Sequence, residues 1–162
     1  DVLAAVVKKY ADVKSGDHVL DLYGGVGLFT AVLIDEVGAG GRIDLVEGSK
    51  SATSDATKNF ANDTNVHIFT GDVAKVLQKI KRADVVVLDP PREGAGKEVV
   101  ALLQEISPRR IVYVACDPAA LARDTTYLEA SGYQMREACA FDLFPMTHHI
   151  ETIALYERNE IS

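Results

Sequence analysis

The sequence predicts a single α/β domain in which a seven-stranded, mostly parallel sheet is covered by helices on both faces and ends in an antiparallel hairpin. The first observation is an alternation of short, β-branched apolar runs with longer segments of helical period. The second is that this alternation stops near Gly132, after which two strand-like runs follow each other directly. The third is size, since 162 residues, 48% of them hydrophobic, can bury one core.

Seven strands and six helices are predicted in chain order. The strands are 18–23, 42–47, 66–70, 84–89, 110–115, 134–141 and 149–156, and the helices are 2–10, 28–37, 50–62, 73–80, 97–106 and 118–130. The turn 142–147 should join the last two strands into a hairpin at one edge of the sheet. Five parallel strands followed by a hairpin is the layout of Rossmann-like methyltransferases, whereas dinucleotide-dependent dehydrogenases normally continue with helical crossovers.

Composition limits the cellular setting and the partners. No run of 18 or more apolar residues is present and no signal sequence opens the chain, so we expect a cytoplasmic protein with no membrane partner. The two cysteines, Cys116 and Cys139, lack Cys-x-x-Cys spacing and suit a reducing compartment. A formal net charge of −7 counts against an extended nucleic-acid surface, because binding a polyanion depends largely on Lys and Arg. Any RNA binding should therefore be local or lie in another part of a longer protein.

A glycine turn follows the first strand. This strand contains Asp21 and ends at Tyr23, and the turn Gly24-Gly25-Val26-Gly27 then leads into a helix. Glycine permits positive φ and lets the backbone approach a nucleotide-type ligand closely. The spacing does not fit Gly-x-Gly-x-x-Gly, so the turn alone is also compatible with an ordinary tight loop.

Acids lie at the carboxyl ends of the first four strands. Glu47 lies 23 residues after Gly24, where a carboxylate can accept hydrogen bonds from both hydroxyls of a ribose. Asp72 is equally compatible with an adenine contact and with a helix N-cap. Together with Asp21 and Asp89, these acids suit the positive sulfonium and ammonium groups of S-adenosylmethionine better than the pyrophosphate of NAD.

Cys116 is a candidate nucleophile. It follows an apolar strand and precedes Asp117-Pro118, where a helix can begin with Asp117 as its cap. The unpaired amides of a helix N-terminus stabilise a thiolate, so we expect the pKa of Cys116 to be lowered. The alternative is a buried cysteine that acts as a small hydrophobic residue. Cys139, inside a strand-like run, is expected to be structural.

Glu151 is a candidate proton acceptor ahead of the last apolar run, and the alternative is a surface glutamate on an edge strand. Methylation of uracil carbon 5 needs such a pair, because a thiolate must add to carbon 6 and a base must remove the carbon 5 proton. The adjacent His148 and His149 would point to opposite faces of a strand, so no metal site is expected.

The loop Asp89-Pro90-Pro91-Arg92 is stiffened by its prolines, so its carboxylate can hold the edge of a base. An aromatic residue after the prolines would suggest methylation of an amino group of adenine or cytosine. Arg92 stands there instead, and its guanidinium offers contacts to phosphate or carboxylate groups.

Four blocks in this order resemble the RNA 5-methyluridine methyltransferases, a family that includes tRNA and 23S ribosomal RNA uridine-5 enzymes. The blocks are 21–27, 89–94, 113–118 with 121–124, and 141–145 continuing through His149 to 151–152. The resemblance implies that Cys116 is the nucleophile and Glu151 the proton acceptor. It also implies a base or cofactor contact for Asp89 and cofactor contacts for Tyr23, Glu47 and Asp72.

Three positions depart from the family pattern. Leu28 stands where the family usually has an Asn that can hydrogen-bond a ligand. Asp117 also replaces an Asn, and its carboxylate would raise the pKa of Cys116 unless it is engaged as a cap. Gly24 replaces a frequent cysteine, a change that we expect to be tolerated.

Members of the family also carry an N-terminal RNA-binding β-barrel, a central domain and a Gln-containing strand before the first block. We therefore expect residues 1–162 to be the C-terminal catalytic domain, with Asp1 marking a truncation. The expected function is S-adenosylmethionine-dependent methylation of uridine carbon 5 in RNA, with residues 121–124 slightly favouring 23S rRNA over tRNA. The alternatives are an S-adenosylmethionine-binding module without turnover and an NAD-dependent oxidoreductase.

Overall fold

Seven strands form one sheet in the computed structural model, which describes residues 1–144, 146 and 149–160. The strands are β1 (His18–Leu22), β2 (Arg42–Glu47), β3 (Val66–Thr70), β4 (Val85–Leu88), β5 (Arg110–Ala115), β6 (Tyr133–Phe144) and β7 (His149–Arg158). They lie in the order β3-β2-β1-β4-β5-β7-β6. Strands β1 to β5 pair in parallel, whereas β7 pairs antiparallel with both β5 and β6. The predicted fold class is confirmed.

Six helices cover the two faces of this sheet. They are α1 (Val2–Ala11), α2 (Leu28–Val37), α3 (Lys50–Asn59), α4 (Val73–Leu77), α5 (Gly96–Ile106) and α6 (Pro118–Ala130). Alternate residues of β1 enter different cores: Leu20 and Leu22 pack with residues of α4, α5 and α6, while Val19 packs with residues of α1 and α2. This alternation is the two-residue period of a strand that is buried on both faces.

Most predicted bounds agree with the structure, and the clearest differences lie at the ends of elements. Helix α3 ends at Asn59 instead of residue 62, because Phe60 leaves the helical conformation with φ −113°. Helix α4 ends at Leu77 instead of residue 80. Strand β6 continues through the first part of the predicted turn 142–147, so Asp142 pairs with Ile150. Pro145, Thr147 and His148 lie outside the described residues.

The strand order reverses beside β1: β2 and β3 lie on one side of it, and β4 and β5 lie on the other. A crevice opens at such a switch point outside the carboxyl ends of the strands, which is where open α/β sheets bind ligands. No helix among the described residues has the length and apolar character that a membrane span requires.

Candidate active site

A cavity of about 420 Å³ opens at the carboxyl edge of the sheet. This volume lies in the range of small-molecule sites. Four of the predicted site residues converge on it from four different strand ends. The lining residues are Tyr23, Glu47, Gly48, Gly71, Asp72, Val73, Asp89, Pro90 and Pro91.

The carboxylate of Glu47 is held in place by the backbone around it. Its Oε1 accepts the N–H of Gly25 at 3.1 Å, and its Oε2 accepts the N–H of Ser49 at 2.7 Å. A carboxylate oxygen accepts more than one hydrogen bond. Both oxygens therefore keep capacity for ligand hydroxyls while the side chain is already oriented.

Asp72 serves as a helix cap and also lines the cavity. Its Oδ2 accepts the N–H of Lys75 at 3.2 Å at the start of α4. The two interpretations of this residue are compatible, because the cap uses one oxygen of the carboxylate.

Asp21 is completely buried and lies outside the cavity lining. Its Oδ2 accepts the backbone N–H and the hydroxyl of Thr30, at 3.1 and 2.7 Å, while its Oδ1 has no partner among the described residues. Burial raises the pKa of Asp21 to about 6, and the negative charge of Glu47 adds to this effect. Thr30 is a site residue that the sequence reasoning missed; its signal was a polar residue on an apolar helix just after the glycine turn.

The turn after β1 is strained at a residue other than glycine. Tyr23 has φ 58°, a left-handed conformation that non-glycine residues rarely adopt and that is concentrated at functional sites. Gly25 and Gly27 also have positive φ. At Gly24 a Cβ would lie 2.6 Å from Cγ of Leu45, so this glycine leaves room for β2 packing. Leu28, at the start of α2, is 47% exposed and offers no polar group.

Sheet register brings Cys116 and Glu151 together. Ala115, the last residue of β5, pairs with Thr152 of β7 in an antiparallel ladder. The next positions along the two chains are Cys116 and Glu151, so they face each other at the carboxyl edge. The charge of Glu151 raises the pKa of the Cys116 thiol, which agrees with this closeness.

The predicted lowering of the Cys116 pKa is wrong. Burial raises the pKa of the thiol, the charges of Glu151 and Asp89 add to the rise, and Arg92 lowers it only in part. The helix N-terminus has few amides to offer, because Pro118 has no N–H and Asp117 accepts the N–H of Ala120 at 3.1 Å. Asp117 is thus engaged as a cap, as the sequence allowed.

Asp89 lines the cavity and also lies close enough to Cys116 for its charge to act on the thiol. Its side chain is open to solvent on one side, but protein atoms enclose the rest of it. This enclosure, together with the charges of Glu151, Asp21 and Glu47, raises the pKa of Asp89 to about 7. Burial also raises the pKa of Glu151, and His149 counteracts the rise. Negative charge thus accumulates at this edge of the sheet.

Arg92 and Cys139 complete the predicted set. Arg92 is exposed and forms no hydrogen bond or ion pair within the described part of the chain, so its guanidinium is available to a ligand. Cys139 lies in β6 opposite Ile153 and packs against the hydrophobic core that contains Ile153. In residues 1–144, 146 and 149–160 there is no group of three or more His, Cys, Asp or Glu side chains that could hold a metal ion. The orientation expected for His148 lies outside the described residues.

A family model described as tRNA (uracil-5-)-methyltransferase matches residues 3–159. The chain belongs to this family. The resemblance carried by the four sequence blocks is therefore confirmed. Membership in the tRNA (uracil-5-)-methyltransferase family also fits the position of Cys116 and Glu151, although it does not by itself assign their roles.

Individual relatives support the same family. An uncharacterized RNA methyltransferase of Streptomyces avermitilis is 48% identical over 97% of this chain and 37% of the relative. The 23S rRNA (uracil(1939)-C(5))-methyltransferase RlmD of Acinetobacter baylyi is 39% identical over 90% of this chain and 33% of the relative. The chain thus spans about a third of the length of the curated relatives it matches.

A solved structure extends the comparison to the fold. The tRNA (uracil-54, C5)-methyltransferase of Pyrococcus abyssi, in complex with S-adenosyl-L-homocysteine, superposes with a TM-score of 0.79 at 31% identity. The match covers 95% of this chain and 38% of that one.

Proposed function

We propose that this chain is the cofactor-binding and catalytic domain, over residues 1–162, of an enzyme that methylates carbon 5 of uridine in RNA with S-adenosylmethionine. The observation that carries the proposal is the β5–β7 register, which sets Cys116 against Glu151 beside an acid-lined cavity. An RNA methylase of this kind would act in the cytoplasm.

The cavity suits the cofactor by its charge. S-adenosylmethionine carries a positive sulfonium and a positive ammonium group, and it supplies an electrophilic methyl group. The Oδ1 of buried Asp21 is an acceptor without a donor among the residues that the structure describes, and Asp89 and Glu47 add negative charge nearby. We assign Glu47 to the ribose, Asp72 and Tyr23 to the nucleoside end, and the glycine turn Gly24, Gly25 and Gly27 to the close backbone approach.

Cys116 begins the chemistry on the base. Its sulfur adds to carbon 6 of uracil as the thiol proton leaves to solvent, and the electrons of the C5–C6 double bond move to the carbon 4 oxygen as an enolate. Arg92 favours both anions, because it is the positive group that lowers the thiol pKa and it forms no ion pair with the residues that the structure describes. Asp89 would hold the edge of the base on its stiff loop.

Glu151 completes the reaction. Once carbon 5 carries the new methyl group, the carboxylate of Glu151 accepts the carbon 5 proton. The released electron pair restores the C5–C6 double bond and expels the Cys116 thiolate. Because Glu151 faces Cys116 across neighbouring strands, it suits the removal of a proton from carbon 5, which is bonded to the carbon 6 that Cys116 attacks.

The mechanism is tested by trapping the covalent adduct. With S-adenosylmethionine present, RNA that contains 5-fluorouridine should stay attached to Cys116 of the full-length protein, because after methylation the fluorine at carbon 5 cannot be removed as a proton. We expect Cys116→Ala to abolish the adduct on denaturing gels, and the matched Cys139→Ala variant to retain it. An adduct that survives in Cys116→Ala would refute the mechanism.

The second candidate is a module that binds S-adenosylmethionine without turnover. The net charge of −7 favours it for the isolated domain, since little positive surface is present to hold RNA. Assaying residues 1–162 alone against tRNA and 23S rRNA separates the two, because robust methylation by the domain would remove this candidate. The same assay with the full-length protein tests the slight preference for 23S rRNA that residues 121–124 suggest.

A further inference from the structure

One buried carboxylate, that of Asp124 in α6, holds the far end of the loop that carries Asp89 and Arg92. Asp124 is completely buried, and its oxygens accept the backbone N–H groups of Ala95 at 2.8 Å and Gly96 at 3.2 Å. These amides begin α5, which has no side-chain cap of its own. Asp124 therefore caps α5 from a neighbouring helix, at the end where the helix dipole favours a negative charge.

Two side chains complete the set of donors around this carboxylate. Tyr113 of β5 donates its hydroxyl at 2.6 Å, and Arg123 donates from Nη2 at 3.0 Å. The same Arg123 nitrogen donates to the carbonyl of Glu93 at 2.6 Å, which ties the loop to α6 a second time. Because these neighbours are all donors, the position suits a carboxylate and not an amide of the same shape.

Gly94 is the loop residue that packs against the side chains of Asp124 and Arg123. It has φ +80°, and a Cβ there would lie 2.6 Å from Oδ2 of Asp124 and 2.7 Å from Nη2 of Arg123. Backbone and carboxylate therefore meet with no room for a side chain. The position combines a conformation that favours glycine with a close approach that requires it.

Arg92 lies between the two anchored ends of this loop. On the near side, the N–H of Asp89 donates to the carbonyl of Leu22 at 3.2 Å. On the far side, the first group held by another element is the carbonyl of Glu93, the residue next to Arg92, and within the loop the N–H of Gly94 donates to the carbonyl of Pro91 at 2.8 Å. Pro90 and Pro91 fix φ in between, so the course of the loop depends on whether the Asp124 end is held.

We propose that Asp124 is a positioning residue, which holds the loop so that Asp89 and Arg92 face the Cys116–Glu151 pair. This inference rests on the proposed function. Asp124 holds the end of the loop beyond Arg92, while Asp89, Pro90 and Pro91 line the cavity at the end that follows β4. Loss of the Asp124 contact should therefore slow attack on the base more than it weakens cofactor binding. A displacement of about 1 Å at a reacting group costs about 10²-fold in rate.

The test is the single-turnover rate of adduct formation on 5-fluorouridine RNA by the full-length protein, with S-adenosyl-L-homocysteine affinity measured in parallel by calorimetry. Asp124→Asn and Gly94→Ala are expected to slow the adduct by about 10²-fold and to weaken that affinity by a much smaller factor. Gly132→Ala is the matched control. Gly132 also has positive φ, +93°, but a Cβ there meets nothing within 4 Å, so this variant carries the strain without the contact.

The outcomes are distinguishable. Wild-type rates in Asp124→Asn and Gly94→Ala would overturn the inference, and so would equal losses in Gly94→Ala and Gly132→Ala. If Asp124→Asn fails to fold, the comparison of the two glycine variants decides alone. If the wild type forms no adduct, the proposed function falls and this inference falls with it, whereas a wild-type adduct with unaffected variants refutes the inference only.

Discussion

Carboxylates near the two edges of the sheet differ in whether they have cationic partners. At the amino edge, Arg109 makes a bidentate contact with Asp17, and Asp44 accepts from both His18 and Arg42 at 2.7 Å. At the carboxyl edge, neither Asp21 nor Asp89 pairs with a lysine or arginine among the described residues. Asp17 and Asp44 are thus neutralised within the fold by cationic partners, whereas Asp21 and Asp89 are not neutralised in this way by the described residues.

The pKa values follow the same division. Burial alone would raise the pKa values of Asp17 and Asp44, but their hydrogen bonds to cationic partners outweigh it and both pKa values are lowered. The pKa values of Asp21 and Asp89 are instead raised, to about 6 and about 7. Uncompensated acids that cost stability are typical of functional sites, so the comparison separates the residues that hold the fold from those that await a ligand.

The largest predicted effect is a loss of turnover when Asp89, at the carboxyl edge, is changed. Asp89→Asn should lower kcat by about 10²–10³-fold, because it removes a charged hydrogen-bond acceptor at the reacting base. The matched Asp44→Asn variant makes the same change at the amino edge and should lower thermal stability while keeping kcat. Steady-state methylation and thermal unfolding of both variants check this, and equal losses of kcat would contradict the division between the edges.

The next largest effect is a gain in stability. The pKa of Asp21 in the folded state lies above its unfolded value of 3.8, so ionisation of this buried carboxylate destabilises the fold. This cost is absent below about pH 4 and complete above about pH 6. Asp21→Asn should therefore raise the free energy of unfolding at pH 8 by up to about 3 kcal/mol, and the gain should vanish near pH 4. Denaturant unfolding at both pH values measures it.

The same substitution should weaken S-adenosylmethionine binding by about tenfold, because it removes a negative charge that acts on the cavity wall at Asp89 and favours the positive groups of the cofactor. Calorimetry at pH 8 measures the affinity of the variant for S-adenosylmethionine. A variant that is less stable than the wild type at pH 8, or that binds the cofactor unchanged, would contradict the assignment of Asp21 to the cofactor.

The smallest effect concerns the amino edge. Arg109→Gln leaves the carboxylate of Asp17 without its cationic partner and should cost about 1–3 kcal/mol of unfolding free energy at pH 7. Because the folded pKa of Asp17 is lowered, this contribution is present above about pH 4 and is lost as pH falls through the folded pKa. A deficit that grows on acidification would show that the pair does not stabilise the fold.

The sequence predicted those features that depend on local pattern. Strands β2, β3 and β5 and helices α2 and α6 have the predicted bounds, since each is a clear apolar run or helical segment between turn residues. The convergence of Tyr23, Glu47, Asp72 and Asp89 also followed, because carboxyl ends of parallel strands meet at one edge.

Features that depend on distant neighbours could not be predicted. The pKa of Cys116 is raised first by burial and then by the charges of Glu151 and Asp89, which are remote in sequence, so a local argument gave the wrong sign. The role of Asp124 at the start of α5 depends on a contact across 29 positions. The extent of β6 depends on its pairing with β7.

The catalytic roles of Cys116 and Glu151 are tested most directly by one variant. Glu151→Gln of the full-length protein is incubated with S-adenosylmethionine and ordinary uridine RNA, and the covalent species are mapped by mass spectrometry. Without a base to remove the carbon 5 proton, we expect a methylated RNA adduct to accumulate on the peptide that contains Cys116. Turnover at the wild-type rate with no trapped adduct, or an adduct on Cys139, would contradict the account.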